Sequence, residues 1–331
     1  MDYTPKFVLD DDLNVDNFRC LSVDDDGFNR ASADLRNKSF SLLCYNIRSC
    51  RRNFAPFLSF ITSLMFQFSL IILCETWLTV DIDYGFDIIN YGCVNSYRNS
   101  NGGGIKIFFL KNYDVHFIDN LTFINDTCEV LSITISLMRV RYLINAIYRP
   151  PGSSIVNFIQ MLIDYILNNL APTDKIIIIG DLNINLFNPY KIASVENFIN
   201  TMLTFSFSPV INIPTKVNLN NNITRYSLID HIWTNFRLSD DHLSGIFNYF
   251  ITDHFPIFYI FRNSFSIPFQ QIKFRKFDDE CVVNFVDVIN GTSFDDVYCL
   301  DDCDAAFNLF YDKILKAYNE CFSYKEKESK V

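Results

Sequence analysis

Residues 175–183 read Lys-Ile-Ile-Ile-Ile-Gly-Asp-Leu-Asn, and this stretch decides the fold. Four consecutive isoleucines have no polar face, which predicts a β-strand buried on both sides. The apolar run stops at Gly180 and delivers a carboxylate at Asp181 and a carboxamide at Asn183. Alternate residues of an extended strand point the same way, so both polar groups are predicted to emerge together from the edge of a core.

An isolated Gly-Asp-x-Asn sequence is also typical of a strand that ends in an ordinary turn. Further polar residues at the ends of apolar runs favour a site instead: Asn46, Glu75, Asp230 and the pair Asp253-His254. Together these residues offer oxygen ligands and one imidazole, which suits the hard cations Mg²⁺ and Mn²⁺. A cation beside a phosphate and groups that orient water are what phosphodiester hydrolysis needs.

The acidic charge of the chain lies in its flanks. The net charge of the 331 residues is −10. Residues 1–38 hold nine acidic and five basic residues, and residues 263–331 hold thirteen acidic and eight basic residues. The middle, 39–262, is nearly neutral, with sixteen acidic and fifteen basic residues. We therefore predict a disordered or loosely attached acidic arm at 1–38, a folded domain at 39–262 and a linker-like segment at 263–331 with one helix, Asp304–Tyr318.

The cysteines and the apolar stretches indicate an intracellular protein. The ten cysteines are scattered, without a Cys-x-x-Cys pair, which fits a reducing compartment. The first residues are polar and acidic, unlike a secretory signal. Residues 53–74 carry no charge, but serine, threonine and glutamine side chains interrupt them. A buried helix running into a strand explains that stretch, and no membrane span is predicted.

Strand-like and helical segments are interspersed along the middle region. Strands are predicted at 39–46, 69–74, 105–109, 130–137, 141–148, 175–179, 227–233 and 255–261. Apolar residues at helical spacing predict helices from Pro56, from Ser153 or Ser154 to about Asn169, and near Val195 to Phe205. This pattern predicts the α/β (α+β) class, with two sheets packed face to face and helices outside.

Five motifs in this order resemble the endonuclease/exonuclease/phosphatase superfamily, and they cover about residues 39–262. They are Cys-Tyr-Asn-Ile-Arg-Ser at 44–49, Glu-Thr-Trp-Leu at 75–78, Gly-Asp-Leu-Asn at 180–183, Ile-Asp-His at 229–231 and Thr-Asp-His at 252–254. More narrowly, Tyr-Arg-Pro-Pro-Gly at 148–152, Pro-Thr at 214–215 and Thr-Asp-His-Phe-Pro at 252–256 resemble the endonuclease domain of jockey-like non-long-terminal-repeat (non-LTR) retrotransposons. The tail after residue 262 resembles the linker that precedes reverse transcriptase in those elements.

The resemblance implies a DNase I-like fold, a four-layer sandwich of two mainly antiparallel β-sheets flanked by helices. It also implies a site for Mg²⁺ or Mn²⁺, held by Glu75 with help from Asn46 and Asp253. Whether one or two metal ions bind stays open.

The same resemblance implies the catalytic roles. Asp181 would orient or deprotonate the attacking water, and Asn183 would hold the phosphate and that aspartate. His254, oriented by Asp230, would stabilise charge on the phosphate. Tyr148 would contact the phosphate or assist Asp181. Which carboxylate is the general base is not settled by the pattern.

The implied activity is nicking of duplex DNA to prime reverse transcription, with a reverse transcriptase or element RNA encoded elsewhere as a partner and the nucleus as the expected location. The alternatives are an abasic-site or other DNA-repair nuclease, a phosphatase of the same superfamily, or a non-catalytic nucleic-acid-binding domain.

Several conspicuous residues receive no role in the predicted site. His231 is predicted to be structural, because strand alternation points it away from Asp230. His116 and His242 have no companions in the sequence. Gly102-Gly103-Gly104 is predicted to be a plain strand entry rather than a phosphate-binding loop, because no Gly-Lys-Ser/Thr helix follows.

Overall fold

The computed structural model describes residues 20–35, 39–98, 102–137, 140–169, 175–187, 192–220, 223–236, 242–262, 273–275, 279–322 and 324–326. The strands in these ranges are β1 (Cys20–Val23), β2 (Ser39–Asn46), β3 (Leu70–Cys74), β4 (Tyr91–Ser96), β5 (Ile105–Leu110), β6 (Val115–Phe117), β7 (Phe123–Ile124), β8 (Glu129–Leu137), β9 (Val140–Tyr148), β10 (Lys175–Asp181), β11 (Ser208–Pro209), β12 (Lys216–Asn220), β13 (Ile223–Ser227), β14 (Asp230–Thr234), β15 (His242–Phe247), β16 (Ile257–Arg262), β17 (Lys273–Arg275) and β18 (Tyr324–Glu326). The helices are α1 (Asp25–Ala31), α2 (Cys50–Ser63), α3 (Ile155–Asn169), α4 (Ala193–Thr204), α5 (Asp279–Gly291), α6 (Asp295–Tyr298) and α7 (Cys303–Cys321).

Two large sheets form the first compact unit, which comprises the described residues up to Arg262. The first sheet has the strand order β1-β15-β16-β2-β3-β5-β4. The second has the order β11-β14-β10-β9-β8-β6, with β7 also paired to β8. Strands pair in parallel at β1/β15, β2/β3 and β9/β10. The other pairs in both sheets are antiparallel, so the prediction of two mainly antiparallel sheets is confirmed.

Three apolar clusters separate four layers. The first lies between the sheets and contains Ile177 and Ile179 of β10. Their neighbours Ile176 and Ile178 face the second cluster, under α3 and α4. A third cluster packs α2 on the outer face of the first sheet. The isoleucine run therefore fills one core with its odd-numbered residues and another with its even-numbered residues, as a strand buried on both sides must.

The prediction of a disordered or loosely attached arm is wrong for residues 20–35. Strand β1 pairs in parallel with β15, from Cys20 opposite Ser244 to Val23 opposite Phe247. Helix α1 follows, and its Phe28 is fully buried. The Phe28 ring contacts Phe66, Phe68, Phe247 and Phe258 in the third cluster. The acidic residues Asp24, Asp25 and Asp26 lie at the helix start, where the helix dipole favours them. Residues 1–19 and 36–38 of the predicted arm lie outside the described residues.

Helix α2 begins earlier than predicted. It starts at Cys50, so that Pro56 lies inside it. The amides of Ser49 and Cys50 donate to the carbonyls of Glu75 and Thr76, at 2.8 and 2.9 Å. These long-range bonds anchor the helix start against the end of β3. Pro56 was predicted to begin the helix because proline favours the first turn, and the sequence near it does not indicate these distant partners. The polar stretch before the predicted strand at 227–233, in which no strand was predicted, contributes the β12–β13 hairpin.

The described residues from Lys273 onward form a second compact unit. The predicted helix Asp304–Tyr318 lies within α7, and α5 and α6 are additional to the prediction. In this unit Phe285 of α5 packs against Tyr318 and Phe322. None of the helices in the described ranges combines the length and apolar character that crossing a bilayer requires.

Candidate active site

The polar residues at the strand ends lie close together, at the same end of the two packed sheets. In the second sheet, the register places Asp181 of β10 directly opposite Tyr148 of β9 and Asp230 of β14. In the first sheet, Asn46 ends β2 and Glu75 follows β3. Three adjacent strands of one sheet and two of the other thus contribute side chains to the same place.

Asn46 connects the two sheets. Its Nδ2 donates to Glu75 Oε1 at 2.7 Å and to Asp181 Oδ2 at 2.8 Å. Its Oδ1 accepts from the backbone amide of Arg48 at 3.2 Å. The side chain is fully buried. Because one amide uses both its hydrogens on carboxylates from opposite sheets, the distance between Glu75 and Asp181 is fixed.

Glu75 is held in an uncommon backbone conformation. Its φ is 54°, in the left-handed region that few residues other than glycine adopt. Its carbonyl accepts from Ser49 N, and the following amides of Thr76 and Trp77 donate to Gly104 O and Gly103 O. The Tyr148 hydroxyl lies near the Glu75 carboxylate. Burial, followed by the charges of Glu75 and Asp181, raises the pKa of Tyr148, so the phenol is protonated near neutral pH.

Asp181 is a buried carboxylate with a perturbed pKa. Burial, and then the nearby charge of Asp230, raise its pKa to about 7. His254, Asn46 and the amide of Asn183 act in the opposite direction. A carboxylate that changes protonation near neutral pH is suited to accept a proton from water.

Asn183 differs from the extended conformation that the sequence predicted. Its φ is 48°, because the chain turns directly after β10. Its backbone amide donates to Asp181 Oδ1 at 3.0 Å, and its Nδ2 donates to the carbonyl of Arg149 at 2.8 Å. Arg149 in turn donates to the carbonyls of Leu182 and Asn183, at 2.6 and 2.7 Å. Asn183 therefore orients Asp181 through its backbone, and Arg149 fixes the turn.

A buried chain of hydrogen bonds runs through Thr215, Asp230 and His254. Thr215 Oγ1 donates to Asp230 Oδ2 at 2.7 Å, and Asp230 Oδ2 lies 2.9 Å from His254 Nδ1. Burial lowers the pKa of His254, but the charge and hydrogen bond of Asp230, with the charge of Asp181, outweigh it and raise the pKa above its usual value. The pair thus favours a protonated imidazole.

Asp253 lies between two cations. Its Oδ1 is 2.9 Å from Arg48 Nη1, an ion pair whose alignment does not meet hydrogen-bond geometry, and its Oδ2 is 3.3 Å from Lys216 Nζ. Its role as a metal ligand stays a prediction.

His231, predicted to be structural, is buried on the opposite side against Phe198 and Trp233. Burial lowers its pKa to about 4.

The donor set fits a hard divalent cation. Ligand atoms of Asp181, Asp230 and His254 lie within 4.8 Å of one another. Asn46 links the half-buried Glu75 to this group, so that three carboxylates, two of them buried, lie close together. Burial and the charge of Asp230 raise the pKa of Asp181, and the positive charge of a cation would favour its ionised form. Asp253 is already paired with Arg48 and Lys216, whereas Glu75 accepts from the neutral amide of Asn46.

Thr215 and Arg149 were not assigned roles from the sequence. Both lie in quoted motifs, Pro-Thr at 214–215 and Tyr-Arg-Pro-Pro-Gly at 148–152. Those motifs were the available signal. Thr215 does not follow an apolar run, whereas Arg149 directly follows the strand that ends at Tyr148, so its position was a second signal.

Comparison with known proteins agrees with this geometry. Residues 142–258 match the family model described as endonuclease-reverse transcriptase. The structure is similar to the endonuclease domain of TRAS1, a telomere-specific non-LTR retrotransposon, with 13% identity over 67% of this chain and 98% of that chain and a TM-score of 0.51. No curated protein sequence matches the chain.

Two other similar structures are DNA-processing enzymes by description. The AP endonuclease LMAP from Leishmania major has 13% identity over 70% of this chain and 90% of that chain, with a TM-score of 0.55. The 3′-5′ exonuclease NExo from Neisseria meningitidis has 14% identity over 67% of this chain and all of that chain (100%), with a TM-score of 0.51.

The fold is therefore the DNase I-like sandwich that these structures share. The chain resembles the endonuclease/exonuclease/phosphatase superfamily and, more narrowly, retrotransposon endonucleases, as its motifs predicted.

Proposed function

We propose that this protein is a divalent-metal-dependent endonuclease that nicks duplex DNA. The observation that carries the proposal is the Asn46 bridge between Glu75 and Asp181, beside the buried Asp230–His254 pair. It brings together a group that can bind a cation (Glu75), a base (Asp181) and a protonated donor (His254). The family-model match and the fold support a nuclease. Two similar structures, TDP2 from D. rerio and NExo from Neisseria, contain bound product DNA, which supports DNA as the substrate class.

Asp181 is the proposed general base. With a pKa of about 7 it is partly ionised at neutral pH. An attacking water gives its proton to Asp181 as its oxygen bonds to phosphorus. The bond from phosphorus to the 3′ oxygen breaks, and that oxygen takes up a proton. The products are a 5′-phosphate and a 3′-hydroxyl, the end that reverse transcription needs as a primer.

His254 and Tyr148 are proposed to contact the phosphate. The protonated imidazole, held by Asp230, would donate to a non-bridging oxygen and stabilise the charge that develops there. Tyr148 stays protonated and would donate its hydroxyl hydrogen to the phosphate, from the side of Asp181 opposite to Asp230. A divalent cation held by Glu75 and Asn46, with Asp253 as a further proposed ligand, would supply positive charge at the phosphate.

The test is conversion of supercoiled plasmid to the open-circular form. We expect nicking with Mg²⁺ or Mn²⁺ and none with a chelator, and DNA polymerase should extend the nicks without end repair. Asp181→Asn and His254→Ala should each lower the rate at least about 100-fold. The exposed residues Asp164 and His116 give matched controls, Asp164→Asn and His116→Ala, which should nick at the parental rate. Parental rates in Asp181→Asn and His254→Ala would contradict the proposal.

A second candidate is an abasic-site nuclease, because an AP endonuclease is among the similar structures. Cleavage of a duplex that carries one abasic site, without nicking of the intact duplex, would favour it. A non-catalytic nucleic-acid-binding domain would bind DNA without nicking it, and absence of Mn²⁺ binding would favour that alternative. For the proposed endonuclease, a reverse transcriptase or element RNA is the proposed partner and the nucleus the proposed location.

A further inference from the structure

Glu129, the first residue of β8, is a fully buried carboxylate that the proposed chemistry does not use. Its Oε2 accepts from the backbone amide of Gly104 at 2.7 Å. Its Oε1 lies 3.4 Å from Arg98 Nη1. A buried carboxylate of this kind is costly unless it is paired, so its place in the structure needs a reason.

The turn that Glu129 holds consists of Gly102, Gly103 and Gly104. Their φ angles are +93°, +73° and +85°, which L side chains rarely adopt. A Cβ at Gly103 would collide with the Glu129 carboxylate, and a Cβ at Gly104 would come within 2.5 Å of Thr76 Oγ1. The turn is therefore packed between Glu129 on one side and Thr76 on the other, and it is more than the plain strand entry that the sequence predicted.

This turn fixes the backbone that follows Glu75. The carbonyl of Gly104 accepts from Thr76 N at 3.2 Å, and the carbonyl of Gly103 accepts from Trp77 N at 2.9 Å. Glu75 and Trp77 have φ angles of 54° and 53°. Such conformations persist only where surrounding contacts hold them. The continuous path is Glu129, then Gly104, then Thr76, then Glu75.

A second path leads from Glu129 to the same carboxylate. Glu129 lies directly opposite Tyr148 in the β8–β9 pair. The Tyr148 hydroxyl lies near the Glu75 carboxylate, whose charge helps to raise the pKa of the phenol. Both the backbone and the side chain of Glu75 are thus supported by groups that neighbour Glu129.

We propose that Glu129 is a positioning residue that, through the Gly103–Gly104 turn, fixes Glu75 in the conformation that binds a divalent cation. This inference rests on the proposed function and deepens it. Partners that orient a metal ligand change metal affinity by about 10- to 100-fold when they are lost.

The test measures Mn²⁺ binding to the full-length protein, from the electron paramagnetic resonance signal of free Mn²⁺. Glu129→Ala should weaken binding about tenfold or more. Glu129→Gln keeps an oxygen that accepts from Gly104 N and should restore binding to near the parental value. Asn145→Ala is the control: Asn145 is also fully buried, in a network with Ser132 and Tyr165, and its loss should lower the melting temperature without changing Mn²⁺ affinity.

Kinetics gives an independent readout. Glu129→Ala should need about tenfold more metal for half-maximal nicking, and saturating metal should restore most of kcat. If Glu129→Ala does not fold, Glu129→Asp, which is one methylene shorter, should show the same weaker binding. Parental Mn²⁺ affinity in the folded Ala or Asp variant would overturn the inference, as would equal losses in Glu129→Gln and Glu129→Ala. Failure of the proposed function would be seen in the parent protein itself, which would then bind no Mn²⁺ or would bind Mn²⁺ without nicking intact duplex DNA.

Discussion

Replacing Asp230 with asparagine tests whether the buried Asp230–His254 pair keeps a proton on the imidazole. The two side chains are almost fully buried, and Asp230 Oδ2 lies 2.9 Å from His254 Nδ1. Burial alone lowers the pKa of His254, and Asp230 is the main group that overcomes it. Asparagine keeps the volume and an accepting oxygen but removes the charge.

The magnitude follows from the energy of a charged hydrogen bond, about 1.5–3 kcal/mol. One pKa unit corresponds to about 1.36 kcal/mol. Asp230→Asn should therefore lower the pKa of His254 by about one to two units, and to below its usual value because the burial penalty stays. Since the folded pKa is raised, the pair's stabilisation is complete below the unfolded pKa of about 6.5 and is lost as the pH rises through the folded pKa. The variant should consequently lose more stability at about pH 5.5 than at about pH 9.

The assay is an NMR titration of the imidazole resonances in metal-free protein. The chain has only four histidines, so assignment by single substitution is practical. The resonances of exposed His116, whose neighbour Asp114 is unchanged by the substitution, serve as the internal reference. An unchanged or higher pKa of His254 in Asp230→Asn would refute the reasoning, because the pair would then not control the charge of the imidazole.

Three further outcomes follow from burial. Asp181→Asn should stabilise the metal-free protein in melting curves at about pH 8 but little at about pH 4. A pKa raised from 3.8 to about 7 makes the ionised form of Asp181 cost on the order of 4 kcal/mol above that window, and asparagine removes this cost. Phe28→Ala should lower the free energy of unfolding by about 3–5 kcal/mol in denaturant titrations, since its ring is fully buried. Duplex DNA should change the tryptophan fluorescence through Trp77, which is 45% exposed and lies near Glu75 in the sequence, whereas Trp233 is 1% exposed. Trp77→Phe should abolish the change.

Much of the central fold was predictable because its signals are local. The isoleucine run of β10 has no polar face, and the run at 39–46 ends on Asn46 where β2 ends. The alternation of side chains along a strand also predicted correctly that the neighbours Asp230 and His231 face opposite sides of the sheet. Asp230 faces the candidate site, whereas His231 packs under α4. Period-two patterning sufficed here because both faces of this sheet are buried.

The features that were missed depend on partners distant in the sequence. Strand β1 is short and pairs with β15, so that Cys20 lies opposite Ser244. Nothing local to the acidic residues beside it indicates that pairing. Likewise, Asn183 was expected in an extended conformation, but the Arg149 guanidinium holds the carbonyls of a turn there. Tertiary hydrogen bonds override local propensity at both places.

The position of the site at the joint of two sheets links its chemistry to the stability of the fold. Asn46 donates to carboxylates from both sheets, and Thr252 Oγ1 donates to the carbonyl of Asn46 at 3.2 Å while accepting from His254 N at 3.1 Å. The residues that would bind the cation, the base and the phosphate are therefore cross-linked through one asparagine. A ligand that binds Glu75 and Asp181 together selects the native spacing of the sheets, and so stabilises the folded state by its own binding free energy. His254, Asn46 and Thr215 already offset part of the cost of burying Asp181 and Asp230, and a bound cation would offset more of it, as expected where function sets the sequence.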